Sequence, residues 1–157
     1  KKIFIRGNHD YWWQSITNVR NMIPIDCYAL QNDAIKIDKY IICGTRGWVV
    51  PDGTNQTDDD QRLYKRELIR LDMALASAKR LQQNEEEIIC MLHYPAINNN
   101  KEKNEVVDLL NKYNAKTCVF GHIHSYQGKY KTCEELFGIK FYLTSCDLLK
   151  NKLYQIF

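Results

Sequence analysis

Apolar residues fall into two kinds of run along this chain. Short, nearly unbroken blocks predict β-strands: Lys2 to Arg6 feeding the Gly7 turn, CYAL at 27–30, AIKI at 34–37, YIICG at 40–44, EIICML at 87–92 and TCVF at 117–120. Asp38-Lys39, between the third and fourth of these, reads as a hairpin turn. Elsewhere the apolar spacing changes to 3 and 4. Tyr64, Leu68, Leu71, Leu75, Ala78 and Leu81 form one stripe, which predicts a helix from Asp58 to about Gln83. Thr57 suits its N-cap, three aspartates crowd its first turn, and Lys79-Arg80 sit near its end, as the helix dipole favours. Val106, Leu109, Leu110 and Tyr113 mark a second amphipathic helix, and residues 14–22 a shorter one before Pro24. Pro51 and Gly53 break the polar stretch VVPDGTNQT. The tail offers strands at Ile139–Thr144 and at Lys152–Ile156. Strands alternating with helices predict an α/β fold, one domain over residues 1–157, with no internal repeat or linker.

Composition narrows the function classes. A hydrophobic fraction of 45% and a charged fraction of 26% are those of a globular domain, and 157 residues suffice for one substantial core. The net charge of +3 (22 basic against 19 acidic residues) gives no electrostatic reason to expect nucleic acid as partner. No apolar run approaches the roughly 18 residues of a membrane span, so no membrane partner is expected. Six cysteines are widely spaced without a C-x-x-C pair, and several lie inside strand blocks. Buried reduced thiols in a cytoplasmic protein are the expectation. The chain starts directly in a core strand, without Met, so further sequence upstream of Lys1 is also expected.

The histidines carry the chemistry. His9, His93, His122 and His124, all four that the chain has, fall just past the end of a predicted strand. In open α/β sheets, sites gather outside the carboxyl ends of the strands. Read singly, each has a plainer use: Asn8-His9-Asp10 as a turn, His93 as a strand-end hydrogen-bonding residue, Gly121-His-Ile-His as a surface loop. In an extended segment His122 and His124 would face the same side, with Gly121 permitting a sharp exit from the strand. Together, neutral imidazoles and an Asn carbonyl suit a borderline divalent ion such as Zn, Mn or Fe. Asp10 could hold the His9 ring in a working tautomer. Arg6 and Arg46 are candidates for holding a phosphate or another anionic part of a substrate. Trp12, Trp13 and Trp48 would wall a pocket or, more simply, pack in the core.

GNHD, then LHYP, then GHIH, in that order, resembles the calcineurin-like metallophosphoesterase superfamily. With ICGTRGW, YKRELIRL and YLTSCD added, the likeness spans nearly the whole chain, which resembles a bacterial group of small predicted phosphohydrolases. The resemblance implies the C-terminal two-thirds of an α/β/β/α sandwich carrying a two-metal site (Mn, Fe or Zn). Asn8, His93 and His122 would ligate one metal and His124 the other. His9 would stabilise the phosphoryl transition state or protonate the leaving oxygen, supported by Asp10. Two cations roughly 3.5–4 Å apart can acidify a water and clamp a phosphate for in-line attack. The chain also departs from the family pattern, because D-x-H and G-D, which supply further ligands, occur nowhere in it. Three functions follow as alternatives: a metal-dependent phosphohydrolase, a nuclease of the same superfamily, or a non-catalytic scaffold that keeps the fold for protein partners.

Overall fold

In the computed structural model, which describes residues 1–53, 56–124 and 131–157, the strands form two sheets. Strand β1 (Lys2–Ile5) pairs in parallel with β2 (Cys27–Leu30). The larger sheet contains β3 (Asp33–Ile37), β4 (Tyr40–Thr45), β5 (Glu87–Leu92), β6 (Thr117–Phe120), β7 (Cys133–Leu136) and β8 (Ile139–Leu143), ordered β3-β4-β5-β6-β8-β7. Its four central strands, β4, β5, β6 and β8, run parallel, and each outer strand is antiparallel to its neighbour. The β3–β4 hairpin turns at Asp38-Lys39 as expected, with Asp38 in the left-handed region (φ 53°) that Asp tolerates.

Three apolar clusters separate four layers. Helix α1 (Ile16–Met22) lies against the outer face of β2, where Trp13, Val19 and Ala29 are buried together. The inner face of the small sheet meets the large one through Ile3, Ile5 and Leu30 against Ile42, Ile89, Met91 and Val119. The opposite face of the large sheet carries the main core. There Ile41, Cys43, Ile88, Cys90, Cys118 and Phe141 pack under α2 (Asp58–Leu81) and α3 (Glu105–Lys112). Each fully buried Leu in this core contributes about 2–3 kcal/mol. The order is α/β/β/α. It follows from strands that are apolar on both faces, as sheets covered on both sides require.

Local chemistry sets the helix ends where the sequence places them. Thr57 and Asp60 make a reciprocal capping box on α2, and the Asn104 side chain accepts from the N–H groups of Val106 and Val107 at the start of α3. The stripe on α2 is displaced, however. Glu67 and Ala74 are buried with Tyr64, Leu71, Leu75 and Ala78, whereas Leu68 is only partly buried and Leu81 is exposed. Two tail expectations also change. Strand β7, with the polar sequence CEEL, gave no apolar signal, and the strand expected at Lys152–Ile156 does not form. Instead the chain end returns to the sheet, where Phe157 stacks on Tyr40 with ring centroids 4.7 Å apart.

All six cysteines are free. Cys43, Cys90 and Cys118 lie in register across β4, β5 and β6 and are fully buried. Hydrogen bonding between neighbouring thiols, together with burial, holds Cys43 and Cys90 well above the usual thiol range, so they pack as small inert side chains. Cys27 is half-buried, and Cys133 and Cys146 are exposed.

Candidate metal centre and anion pocket

Each functional segment begins where a strand stops pairing. Arg6 to Asp10 follow β1, Arg46 follows β4, His93 follows β5, Gly121 to His124 follow β6, and Asp147 lies beyond β8. Backbone bonds lace three of these exits together. The N–H groups of His93 and Tyr94 both donate to the Arg46 carbonyl at 3.0 Å, and the Gly121 N–H donates to the His93 carbonyl at 3.2 Å. Neighbouring parallel strands thus deliver Arg46, His93 and His122 side by side.

His93 is the centre of the group. Its Nε2 lies 2.7 Å from Asn8 Oδ1 and 3.1 Å from His122 Nδ1. Its ring also approaches Gly7 closely, since a Cβ on that glycine would stand 3.3 Å from the imidazole. Tyr94 lies against the face of His122, centroids 4.1 Å apart at 36°, and fixes that ring from the side. Burial, with His122 alongside, pushes the His93 pKa down to about 4, and burial also lowers that of His122. Both rings are therefore neutral at pH 7, the form in which imidazole binds metal.

His122 and His124 do not share a side. His122, rather than Gly121, takes the left-handed backbone conformation at φ 69°, so the segment is not extended and the two rings part. Holding a non-glycine residue there costs about 1–2 kcal/mol, and such strain gathers at functional positions. His122 turns to His93, while Nδ1 of the exposed His124 lies 3.3 Å from Asp147 Oδ1. His124 stays near enough to lower the pKa of both other histidines.

The loop after β1 also differs in detail from the reading of its sequence. Asp10 folds back on its own turn, accepting from the Gly7 N–H at 2.6 Å and the Trp12 indole at 3.1 Å. Its bonds shape the loop, and none of them is to the His9 ring. His9 is exposed, with the edge of Tyr11 6.3 Å away. Trp13 is core, its indole N–H donating to Gln31, while Trp12 is exposed. Trp48 is half-buried, lies under the Arg46 guanidinium and meets Tyr94 at 5.1 Å.

Arg6 and Arg46 open into a second space, a cavity of about 220 Å³ shared with Arg66 and Arg70 of α2. Buried Glu67 stands among them, accepting from Arg70 at 2.7 Å and from the Thr45 hydroxyl at 3.0 Å. Burial pulls the Arg46 pKa down, with Glu67 opposing that shift. Glu67, Arg66, Arg70, Tyr94 and Asp147 escape a sequence reading of the site. All five lie in stretches that carry the family resemblance, YKRELIRL, LHYP and YLTSCD, and Glu67 also stands out as an acid three residues from Tyr64 and four from Leu71.

Among the described residues, no group of three or more His, Cys, Asp or Glu stands where it could share a metal ion. The first donor set is completed by an amide instead. Asn8 Oδ1, His93 Nε2 and His122 Nδ1, about 3 Å from one to the next, suit one divalent cation with bonds of roughly 2.0–2.2 Å. For a second ion the described residues offer His124 with Asp147 beside it. No curated protein and no solved structure gives a significant match to the chain. A family model does: that of the calcineurin-like phosphoesterases matches residues 1–126. Its members are in general metal-dependent enzymes that cleave phosphoesters. With the match covering most of its length, and with GNHD, LHYP and GHIH at the ends of three strands, this chain belongs to the calcineurin-like phosphoesterase family.

Proposed function

We propose that the protein hydrolyses a phosphoester using divalent cations, Mn, Fe or Zn, bound at the ends of β1, β5 and β6. The observation that carries this reading is the convergence of Asn8, His93 and His122 from three separate strand exits onto one point. Three neutral donors brought together in this way, with His122 held in the left-handed backbone region, suit a shared cation. Asn8, His93 and His122 would hold one ion, and His124 would contribute to a second. Bound there, the ions would supply Lewis-acid charge to the phosphoryl oxygens and make a water at the site more acidic.

The chain's own residues supply the rest. His9, at the exposed rim, has access to donate a proton to the leaving oxygen or to stabilise charge on the phosphoryl group. Asp10 keeps the loop that carries Asn8 and His9 in shape. Arg6 and Arg46 hold an anionic part of the substrate. Free cysteines fit work in the reducing cytoplasm.

The test is to strip the purified protein with EDTA, restore Mn, Zn or Fe singly, and follow p-nitrophenyl phosphate hydrolysis together with bound metal per chain. Metal-dependent turnover at stoichiometric loading is expected. Absence of both stoichiometric metal and turnover with every ion would overturn the reading in favour of a scaffold. Cleavage confined to nucleic acid and suppressed by salt would make it a nuclease.

A further inference from the structure

The arginine cavity asks for an anion of its own. Four guanidinium groups, from Arg6, Arg46, Arg66 and Arg70, face one carboxylate, Glu67, which leaves a local excess of +3. The three arginines paired with Glu67 all lean on its Oε1, at 2.7 Å for Arg70, 3.8 Å for Arg46 and 3.9 Å for Arg66. A single oxygen satisfies few of the donors that these forks present. Nε of Arg6 and Nε of Arg46 are buried and meet no acceptor among the described residues. Buried donors in that condition are rare enough to need an explanation. Arg66 and Arg70, four apart on α2, add a like-charge pair of the kind that destabilises a helix unless something neutralises it. Asp33, which follows the cavity residue Asn32, is occupied by Arg20 and by the Gln31 N–H.

The cavity is also separate from the histidines while standing next to them. None of His9, His93, His122 and His124 lines it. Yet the Arg46 carbonyl binds the His93 N–H, and Arg6 adjoins the glycine that touches the His93 ring. An oxyanion in this cavity is therefore not the group on which the histidine cluster acts. At about 220 Å³ the space admits a phosphate with attendant water.

We infer that the arginine cavity is a second anion subsite, and that the substrate is a phosphoester bearing a further phosphate group, which Arg6, Arg46, Arg66 and Arg70 grip while the first lies at the histidine cluster. This rests on the phosphoester reading above and gives it a substrate class. Guanidinium forks match phosphate oxygens two at a time, and each such pair is charge-assisted. Glu67 keeps Arg46, Arg66 and Arg70 assembled when no anion is present.

Two measurements on the full protein test the inference separately from catalysis. The first is calorimetric titration with inorganic phosphate and with pyrophosphate in EDTA, so that metal cannot hold the anion. Saturable binding is expected, weakened at least about tenfold in Arg66→Gln, the removal of one charge-assisted pair. Arg66 is exposed enough for that variant to fold, and Arg6→Gln, with retained circular dichroism, gives an independent reading. No binding, or binding lost in His93→Gln and kept in both arginine variants, overturns the subsite whatever the catalytic result. The second measurement, on metal-loaded enzyme, compares KM for a sugar bisphosphate and for the matching monophosphate. Arg66→Gln is expected to raise the first by about tenfold more than the second. Equal changes in KM, beside intact phosphate binding in EDTA, would overturn the substrate class and leave free phosphate as the ligand.

Discussion

The histidine cluster and the arginine cavity are neighbours at the same end of the same sheet, yet they meet burial in opposite ways. An imidazole taken out of water gives up its proton. His93 and His122, both lowered by burial, become neutral donors that can lie within about 3 Å of each other without a counterion. A guanidinium has no such escape at physiological pH. Arg46 stays charged although burial disfavours it, so the cavity needs Glu67 and, on our reading, a bound anion. On our proposal, one site is assembled from neutral groups for a cation and the other from fixed cations for an anion. A phosphoester with a further phosphate would join the two, because its oxygens suit both.

The strongest test of this contrast lies among the histidines. In the metal-loaded protein, His122→Ala is expected to lose bound metal and turnover together. His9→Ala is expected to keep its metal and lose roughly 10²–10⁴ in kcat, the usual contribution of a positioned proton donor. Elemental analysis beside steady-state kinetics separates the two, and equal metal loss in both variants would sink the division of roles.

The arginine side breaks through its acid. Glu67→Ala leaves Arg46 and Arg70 without their shared carboxylate, and it is expected to cost about 1–3 kcal/mol in urea denaturation, the range for leaving a hydrogen-bonding partner unsatisfied. Saturating phosphate should restore part of that loss, by mass action on the folded state. A variant as stable as the parent would mean that the guanidinium groups do not depend on Glu67.

A smaller effect probes the strain at the cation site. His122→Gly removes the left-handed penalty, and it should raise stability by about 1 kcal/mol while abolishing metal binding. A loss of stability in metal-free protein would show instead that the contacts of His122 with His93 and Tyr94 outweigh its backbone strain.

A control for both sites lies at the opposite end of β5. Glu86, bonded to Lys36 at 2.5 Å and to the N–H groups of Gln83 and Asn84, has its pKa pulled down to about 2, chiefly by Lys36. A carboxylate lowered on folding adds stability above its unfolded pKa of about 4.3 and loses it as pH falls through the folded value. Stability should therefore decline between about pH 5 and pH 2, and Glu86→Gln should flatten that decline. An unchanged pH profile in Glu86→Gln would place the acid sensitivity elsewhere, with the groups of the two sites as the next to examine.

The sequence by itself determined the elements and the chemistry at their ends. Short, nearly unbroken apolar blocks specified β1 through β6, spacing of three and four specified α2 and α3, and Thr57 fixed where α2 begins. These are local signals, written in neighbouring residues. For the same reason the four histidines could be placed past strand ends, whereas the grouping of Asn8, His93 and His122 came from the resemblance of GNHD, LHYP and GHIH to the phosphoesterase family. Only the tertiary structure decided what lay between elements. It separated His124 from His122 through a backbone conformation that no local pattern announces, and it turned Asp10 onto its own loop. It paired the polar strand β7 against β8, because an edge strand can form on backbone bonds without an apolar face. It also brought Arg66, Glu67 and Arg70 of a helix against Arg6 and Arg46 of two sheets. Charges spaced along a helix read as a solvated face until packing shows which of them are taken out of water, and here that packing made the pocket.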